Sequence, residues 1–254
     1  RPFDVFELVS STRILVIERT GGVRGVNDCG GIGNVCSLSR FTQQLFYSDR
    51  DIGVMIDGRI GGWRYSGAVT NGRGQNDRID ENGTKSFTGR LEYNFAGGNG
   101  RVGAHVAAHD YPFTNPVDSA TSDEYGYAFG ADIDWGKYET PGVHVQAGVV
   151  YGDNWKNQTG TSTAEPSKFL TAQGVVTYLF PISNSRFFSG IEPVGRIAWG
   201  DPDRNAGDDE GLLLTPGIQL YFTGRNKFTV NLDYYKPAAM PSVYSFKAQM
   251  FFYF

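Results

Sequence analysis

The sequence predicts an all-β fold, a transmembrane antiparallel up-and-down β-barrel of the outer-membrane type. Three observations predict it. Apolar and polar residues alternate over segments of about ten residues, the length of a tilted strand that crosses a bilayer. Short turns and long polar loops alternate along the chain. Aromatic residues collect at the ends of the segments, as girdles at two membrane interfaces require.

The alternation is clearest in the last segment, VYSFKAQMFFYF (243–254). One face is apolar, whereas the other begins with Ser245, Lys247 and Gln249, which indicates a strand between two different solvents. Ten further segments from residue 51 onward show the same pattern, so we expect about eleven strands. These segments are DIGVMIDGRI, WRYSGAVT, FTGRLEYNF, RVGAHVAAH, YGYAFGADIDW, VHVQAGVVY, LTAQGVVTYLF, IEPVGRIAW, LLTPGIQLYF and FTVNLDYY.

The connections between these segments alternate in length, as in an up-and-down barrel. Short turns are predicted at 61–62, 96–100, 136–141, 181–185 and 223–226. Long loops are predicted on the opposite end at 71–86, 110–124, 152–167 and 200–211, followed by a shorter connection at 236–242.

Composition narrows the class of protein. The 254 residues have a mean hydropathy of −0.33 and contain no run of 18 apolar residues, so no transmembrane helix is predicted. Aromatic residues make up 14% and glycine occurs 34 times, which favours strands and tight turns. A net charge of −4 argues against a nucleic-acid partner.

A soluble β-sandwich or barrel is the alternative fold. Its strands average five to six residues and its apolar face points inward, whereas these segments are longer and their second face mixes Gly, Thr, Gln, Arg and Asp. Single-chain bacterial barrels usually close with an even strand number. Eleven strands therefore imply either strands upstream of this chain or another strand from residues 1–18.

Two segments of the chain carry a family resemblance. PFDVFELVSSTRILVIERT (2–20) and SDRDIGVMIDGRIGGWRYSGAVTNGRG (48–74) resemble the phosphate-selective porin family of the O and P type. TAQGVVTYLF, IEPVGRIAW and FKAQMFFYF fit the last strands of that family.

The resemblance implies a sixteen-stranded, homotrimeric barrel of the outer-membrane porin type, with about five N-terminal strands absent here. Residues 1–254 would form one barrel domain. In it, residues 1–48 would fold into the lumen as a constriction loop and 51–254 would supply the wall. The terminal Phe254 would be the signal that the barrel-assembly machinery reads.

The sequence departs from the family pattern at GGVRGVNDCGGIGNVCSLSRFTQQLFY (21–47), which contains Cys29 and Cys36. A disulfide between them is the simplest interpretation in the oxidising periplasm or at the cell surface. Free thiols remain an alternative. A metal site is less favoured, because no histidine lies nearby in the sequence.

The phase of the strands predicts which charged residues face the lumen. If the apolar face meets lipid, acidic and basic residues both point inward in nearly equal number, which allows either an anion-attracting lining or transverse salt bridges with weak selectivity. In the predicted loop, arginines outnumber acids and favour anion preference at the narrowest point. The predicted pore-lining cations are Arg13, Arg19, Arg24, Arg40, Arg59, Arg64, Arg90, Arg101, Arg196, Lys227 and Lys247.

Two other groups of residues contain side chains that are able to do chemistry. His105, His109 and His144 could serve a barrel enzyme with Ser66 or Ser245 as a loose candidate nucleophile, but no nucleophile-elbow motif is present. Asp201, Asp203 and Asn205 match the first three ligand positions of a calcium loop, whereas its twelfth position is Leu212. We therefore predict no enzyme activity and no cofactor, and treat the calcium site as a weak candidate.

The predicted function is passive diffusion of small hydrophilic solutes across the bacterial outer membrane, with a preference for anions that could include phosphate. The expected partners are the lipid bilayer, lipopolysaccharide, small anionic or polar solutes, other copies of the chain and the barrel-assembly machinery. A non-conducting surface-structural or adhesion barrel is the alternative.

Overall fold

The computed structural model describes residues 3–6, 15–17, 37–48, 50–72, 83–115, 117–158, 165–223 and 226–252. Its described strands form one eleven-stranded sheet in which every strand pairs antiparallel with the next. The predicted all-β, up-and-down fold is therefore confirmed. The strands are β1 (Gly53–Ile60), β2 (Trp63–Thr70), β3 (Ser86–Phe95), β4 (Gly100–Thr114), β5 (Thr121–Trp135), β6 (Gly142–Gln158), β7 (Pro166–Pro181), β8 (Phe188–Asp201), β9 (Gly211–Phe222), β10 (Lys227–Pro237) and β11 (Val243–Phe251).

Several strands continue into positions predicted as loops. β4 and β5 remain paired as far as Thr114 and Thr121, so the loop predicted at 110–124 is wrong at most of its positions. The loop predicted at 152–167 is shortened in the same way, since β6 continues to Gln158. The extension of β4 is not purely polar, since Tyr111 and Phe113 are 1% and 6% exposed. The added residues 121–124 of β5 are polar and show no alternation, so backbone hydrogen bonds to β4 hold them in the sheet.

One short helix precedes the sheet. Helix α1 (Leu38–Gln44) begins at Ser37, whose Oγ accepts a hydrogen bond from the Arg40 amide at 3.3 Å. Seven residues are too few for a helix to be stable alone, so packing against the sheet must stabilise α1. No helix in the described part of the chain is long and apolar enough to cross a membrane.

Charged residues are buried on one face of the sheet and apolar residues are exposed on the other, which is the reverse of the arrangement in a soluble protein. We call the face that carries Arg90 and Asp132 the inner face, because the described residues between 3 and 48 pack on it, and the opposite face the outer face. Arg90 and Asp132 are each 6% exposed, whereas the outward Val54 and Val106 are 73% and 58% exposed. A soluble sheet would bury the valines and expose the charges.

Aromatic side chains form a belt at each end of the outer face. At the short-turn end, Trp63 packs on Tyr93 with ring centroids 4.9 Å apart, and Phe95 packs on Trp135 at 5.8 Å. At the other end, Tyr234 packs on Tyr244 at 5.1 Å. Two belts separated by aliphatic residues are typical of strands that cross a bilayer.

Candidate functional site

The strand register places the seven predicted strand cations on the inner face. Arg59 is opposite Arg64 in the β1–β2 pair, and Arg64 is opposite Glu92 in the β2–β3 pair. Paired residues on adjacent strands point to the same side of a sheet. The face of one residue therefore fixes the face of its partner on the next strand. The other register pairs that fix the inner face are Arg90–His105, Arg101–Asp134, Arg196–Thr215, Gln219–Thr229 and Asn231–Lys247.

Arg90 is the centre of the first charge cluster. Its guanidinium forms two hydrogen bonds to the Asp132 carboxylate, at 2.6 and 2.7 Å, and a weaker one to Glu92 at 3.2 Å. The His105 ring adds a contact to Asp132 at 3.3 Å. Because these side chains are almost fully buried, the pair requires this bidentate geometry to offset the cost of removing two charges from water.

The same cluster continues towards the short-turn end and towards β1. Arg101 pairs with Asp134 at 2.7 Å, and Asp134 also contacts His144 at 2.6 Å. On the β1–β2 hairpin, Arg64 pairs with Asp57 at 2.7 Å in a more exposed position. Charges of alternating sign therefore extend across the inner face from β1 to β6.

A second charge cluster lies on β8 to β11 around Asp233. The Asp233 carboxylate contacts Lys247 at 2.5 Å and Arg196 at 3.0 Å, and it accepts a hydrogen bond from Thr215. Arg196 also donates to the Thr215 hydroxyl at 2.7 Å. Two cations thus share one fully buried carboxylate.

Lys227 belongs to a third, mainly neutral cluster at the short-turn end. Its ammonium donates to the Gln219 side chain at 2.7 Å and lies 5.3 Å from the centre of the Phe251 ring. Gln219 in turn donates to Glu192 at 3.1 Å, and Tyr221 donates to the same carboxylate at 2.5 Å. The buried strand cations therefore contact carboxylates or an amide, which favours the transverse salt-bridge alternative over a lining of available cations.

Residues 3–6 and 15–17 contact the inner face through their backbone. The Val5 amide donates to Asp132 at 3.0 Å, and Arg90 donates to the Phe3 carbonyl at 2.9 Å. Further along, Lys247 donates to the Ile17 carbonyl at 3.2 Å. Both charge clusters thus bind peptide groups from the segment that precedes the sheet.

Helix α1 packs on an apolar patch of the inner face that sequence analysis missed. We call the four wall residues Ala107, Ala128, Val150 and Phe169 the inner patch. They are at most 5% exposed and pack with Phe3, Leu38, Phe41, Leu45 and Tyr47. The sequence contains one signal for this patch. At these inward positions of β4 to β7, four apolar residues stand where the neighbouring inward positions carry polar ones.

Polar contacts hold the end of α1 against β6. Tyr47 donates to the Asp153 carbonyl at 2.7 Å, and Trp155 donates to the Leu45 carbonyl at 2.8 Å. Burial raises the pKa of the Tyr47 hydroxyl well above its usual value. Tyr47 therefore stays a neutral donor at physiological pH.

Arg40 is the one predicted loop cation that the structure describes. Its guanidinium donates to the Gln43 amide oxygen at 2.9 Å. Among the described residues, no carboxylate lies within salt-bridge distance of this guanidinium. The predicted sites Arg13, Arg19, Arg24, Cys29, Cys36 and Phe254 lie outside the described residues.

The acidic segment around Asp201 gives the calcium prediction no support. Asp201 pairs with Arg204 at 3.2 Å, and Asp203 accepts a hydrogen bond from the Asn205 amide at 3.0 Å. Burial, and then the neighbouring Asp201 and Asp203, raise the pKa of Asp209. Within the described ranges, no group of three or more His, Cys, Asp or Glu side chains is placed to hold a metal ion.

The histidines serve packing and hydrogen bonding. His109 contacts the Ser86 hydroxyl at 3.0 Å, and that hydroxyl donates to Asp110 at 2.5 Å. The sequence gives no signal for this pair, because the serine and the histidine are 23 residues apart. Ser86 is fully buried, so a substrate could not reach it without displacement of the wall.

Comparison with known proteins shows what this fold is similar to. No protein-family model matches the chain, and no curated protein matches it in sequence. The resemblance to phosphate-selective porins therefore stays a prediction. Among solved structures, the chain is similar to the crystal structure of the outer membrane channel DcaP of Acinetobacter baumannii, with a TM-score of 0.58 and 11% sequence identity. The match covers 91% of this chain and 66% of that one, so the chain spans slightly less than two thirds of the neighbour's length.

Proposed function

We propose that the chain forms most of the wall of an outer-membrane channel for the passive diffusion of small hydrophilic solutes. The polarity of the sheet carries this proposal, since apolar residues cover the outer face and charged residues line the inner face. Lipid outside and water inside are the two solvents that such a sheet requires. The similar fold of an outer membrane channel supports the same function.

We further propose that residues 1–48 narrow the lumen and that residues 51–254 belong to one barrel completed by strands outside this chain. The contacts of residues 3–6, 15–17 and α1 with the inner face support a lumenal position for this segment. The homotrimer, the phosphate solute and the role of Phe254 in assembly rest on the family resemblance alone.

Single-channel recording in planar lipid bilayers tests the proposed function. The full-length protein should insert and give discrete current steps in a simple salt solution. A refolded, heat-modifiable protein that inserts into the bilayer but passes no current would contradict the channel. It would favour the non-conducting surface barrel, an alternative that the packing of α1 on the inner patch makes worth testing.

Anion preference is a narrower proposal, and it depends on the cations of residues 1–48 rather than on the wall. We expect Arg40→Ala to lower the anion-to-cation permeability ratio by roughly two- to threefold at low ionic strength, because one positive charge near the solute path is removed. Arg13→Ala and Arg19→Ala should act in the same direction. The readout is the reversal potential in a KCl gradient.

A matched control for Arg40 is Lys227→Gln, which removes a cation of the wall that contacts Gln219 and two aromatic rings. We expect its effect on the reversal potential to be smaller. Unchanged reversal potentials in all three arginine variants would contradict the assignment of anion preference to this segment.

A further inference from the structure

The short turn between β5 and β6, residues 136–141, does not simply connect the two strands at the rim. Tyr138 turns back onto the inner face, where its ring packs edge-on against His144 with centroids 4.3 Å apart. Its hydroxyl accepts a hydrogen bond from the Gln146 amide. The ring also packs against the cluster formed by Leu15, Val16, Val175 and Val194, so the turn is folded under the residues that occupy the lumen.

The backbone of this turn is shaped for that inward course. Gly136 and Gly142 flank it with φ values of +101° and +122°, and Glu139 at its tip has φ +58°. A Cβ at Gly136 would lie 2.5 Å from the Val143 carbonyl oxygen, so only glycine fits there. A non-glycine residue in the left-handed region is uncommon and is retained where the surrounding structure requires it.

Glu139 follows the inward Tyr138 directly in the turn, and its side chain is exposed. Its charge also contributes to the electrostatic environment of Tyr221 on β9 and Lys227 on β10, which lie at the same short-turn end of the sheet. The inward course of the turn, fixed by the contacts of Tyr138, therefore places an exposed negative charge at the short-turn end of the inner face.

We propose that the 136–141 turn is a second selectivity element at the short-turn end of the channel, with Glu139 as its charge and Tyr138 as the residue that positions it. This inference rests on the proposed channel function. The carboxylate attracts cations and repels anions as solutes enter or leave at that end. It thus acts against the cationic residues of segment 1–48 and lowers the net anion preference.

Charge substitutions at Glu139, recorded in planar bilayers with the full-length protein, test the proposal. Glu139→Gln should raise the anion-to-cation permeability ratio by roughly two- to threefold at low ionic strength, and Glu139→Lys should raise it further. The matched control is Glu165→Gln, which removes the same charge from an exposed residue before β7, at the opposite end of the barrel. The control should leave the reversal potential close to that of the unsubstituted protein.

Tyr138 provides a second measurement. Tyr138→Phe keeps the ring and should retain most of the selectivity, whereas Tyr138→Ala should release the turn and reproduce the shift of Glu139→Gln although the carboxylate remains. Equal reversal potentials for Glu139→Gln, Glu139→Lys and the unsubstituted channel would overturn this inference and leave the channel itself intact. An unsubstituted protein that inserts and does not conduct would overturn the proposed function and this inference with it.

Discussion

Arg90→Ala is expected to destabilise the folded sheet by about 3–5 kcal/mol, the usual cost of removing one partner from a buried ion pair. Asp132 would keep a charge that is 6% exposed and has lost its bidentate partner. The variant also loses the hydrogen bond from Arg90 to the Phe3 carbonyl. Urea unfolding in lipid vesicles, followed by tryptophan fluorescence, measures the change in the free energy of unfolding.

Two further variants separate the buried charge from general damage to the wall. Arg64→Ala removes an arginine from a more exposed pair with Asp57, so it should cost a small fraction of the Arg90 loss. The double variant Arg90→Met with Asp132→Leu should recover much of the stability, because both charges of the pair are removed together and Glu92 keeps its contact with Arg101 at 3.7 Å. Equal losses for Arg64→Ala and Arg90→Ala would show that burial of the pair is not the cause.

Phe169→Ala is expected to detach helix α1 from the wall. The Phe169 ring lies 5.1 Å from Phe41 and 6.2 Å from Tyr47 and is fully buried between them. Truncation of a buried phenylalanine costs about 3–5 kcal/mol. Such a change would shift the ratio of docked to undocked helix by about 10²- to 4 × 10³-fold. Hydrogen exchange of the 37–48 amides measures the shift directly.

The matched control is Phe129→Ala on the outer face. Phe129 is 55% exposed on β5, two strands from β7 in the sheet, and in a bilayer lipid tails can fill the space that the ring leaves. Protection of the 37–48 amides should not change in this variant. If Phe169→Ala also leaves that protection unchanged, the inner patch does not hold α1.

The sheet could be predicted from the sequence because alternation with a period of two identifies a strand and also shows which of its faces is apolar and which is polar. Once one apolar residue of a strand is assigned to lipid, the phase fixes Arg90, Asp233 and Lys247 on the other side, and the register agrees. The strand extensions beyond Asp110 were missed, since residues outside the bilayer need no lipid-facing side.

The partners of the inner-face charges could not be predicted. Arg90 on β3 pairs with Asp132 on β5, two strands away, so the contact depends on the stagger of two hairpins as well as on phase. The inner patch was missed for a different reason. Ala128 and Val150 look like isolated exceptions to the alternation until the fold places them beside Ala107 and Phe169.

Quenching of tryptophan fluorescence by brominated lipids tests most directly the claim that one face of the sheet meets lipid and the other lines the lumen. Trp63 and Trp135 are 49% and 38% exposed on the outer face, where Trp199 also lies. Trp155 is on the inner side and donates to the Leu45 carbonyl. Four variants, each retaining one tryptophan with the others changed to phenylalanine, isolate each signal.

We expect lipids brominated along the acyl chains to quench Trp63, Trp135 and Trp199 strongly and Trp155 little in vesicles of the same composition. Iodide, a water-soluble quencher, should not quench any of the three outer tryptophans more strongly than brominated lipid does. Quenching of Trp155 by brominated lipid to the same extent as Trp63, Trp135 and Trp199 would contradict a barrel with lipid outside and an aqueous lumen within.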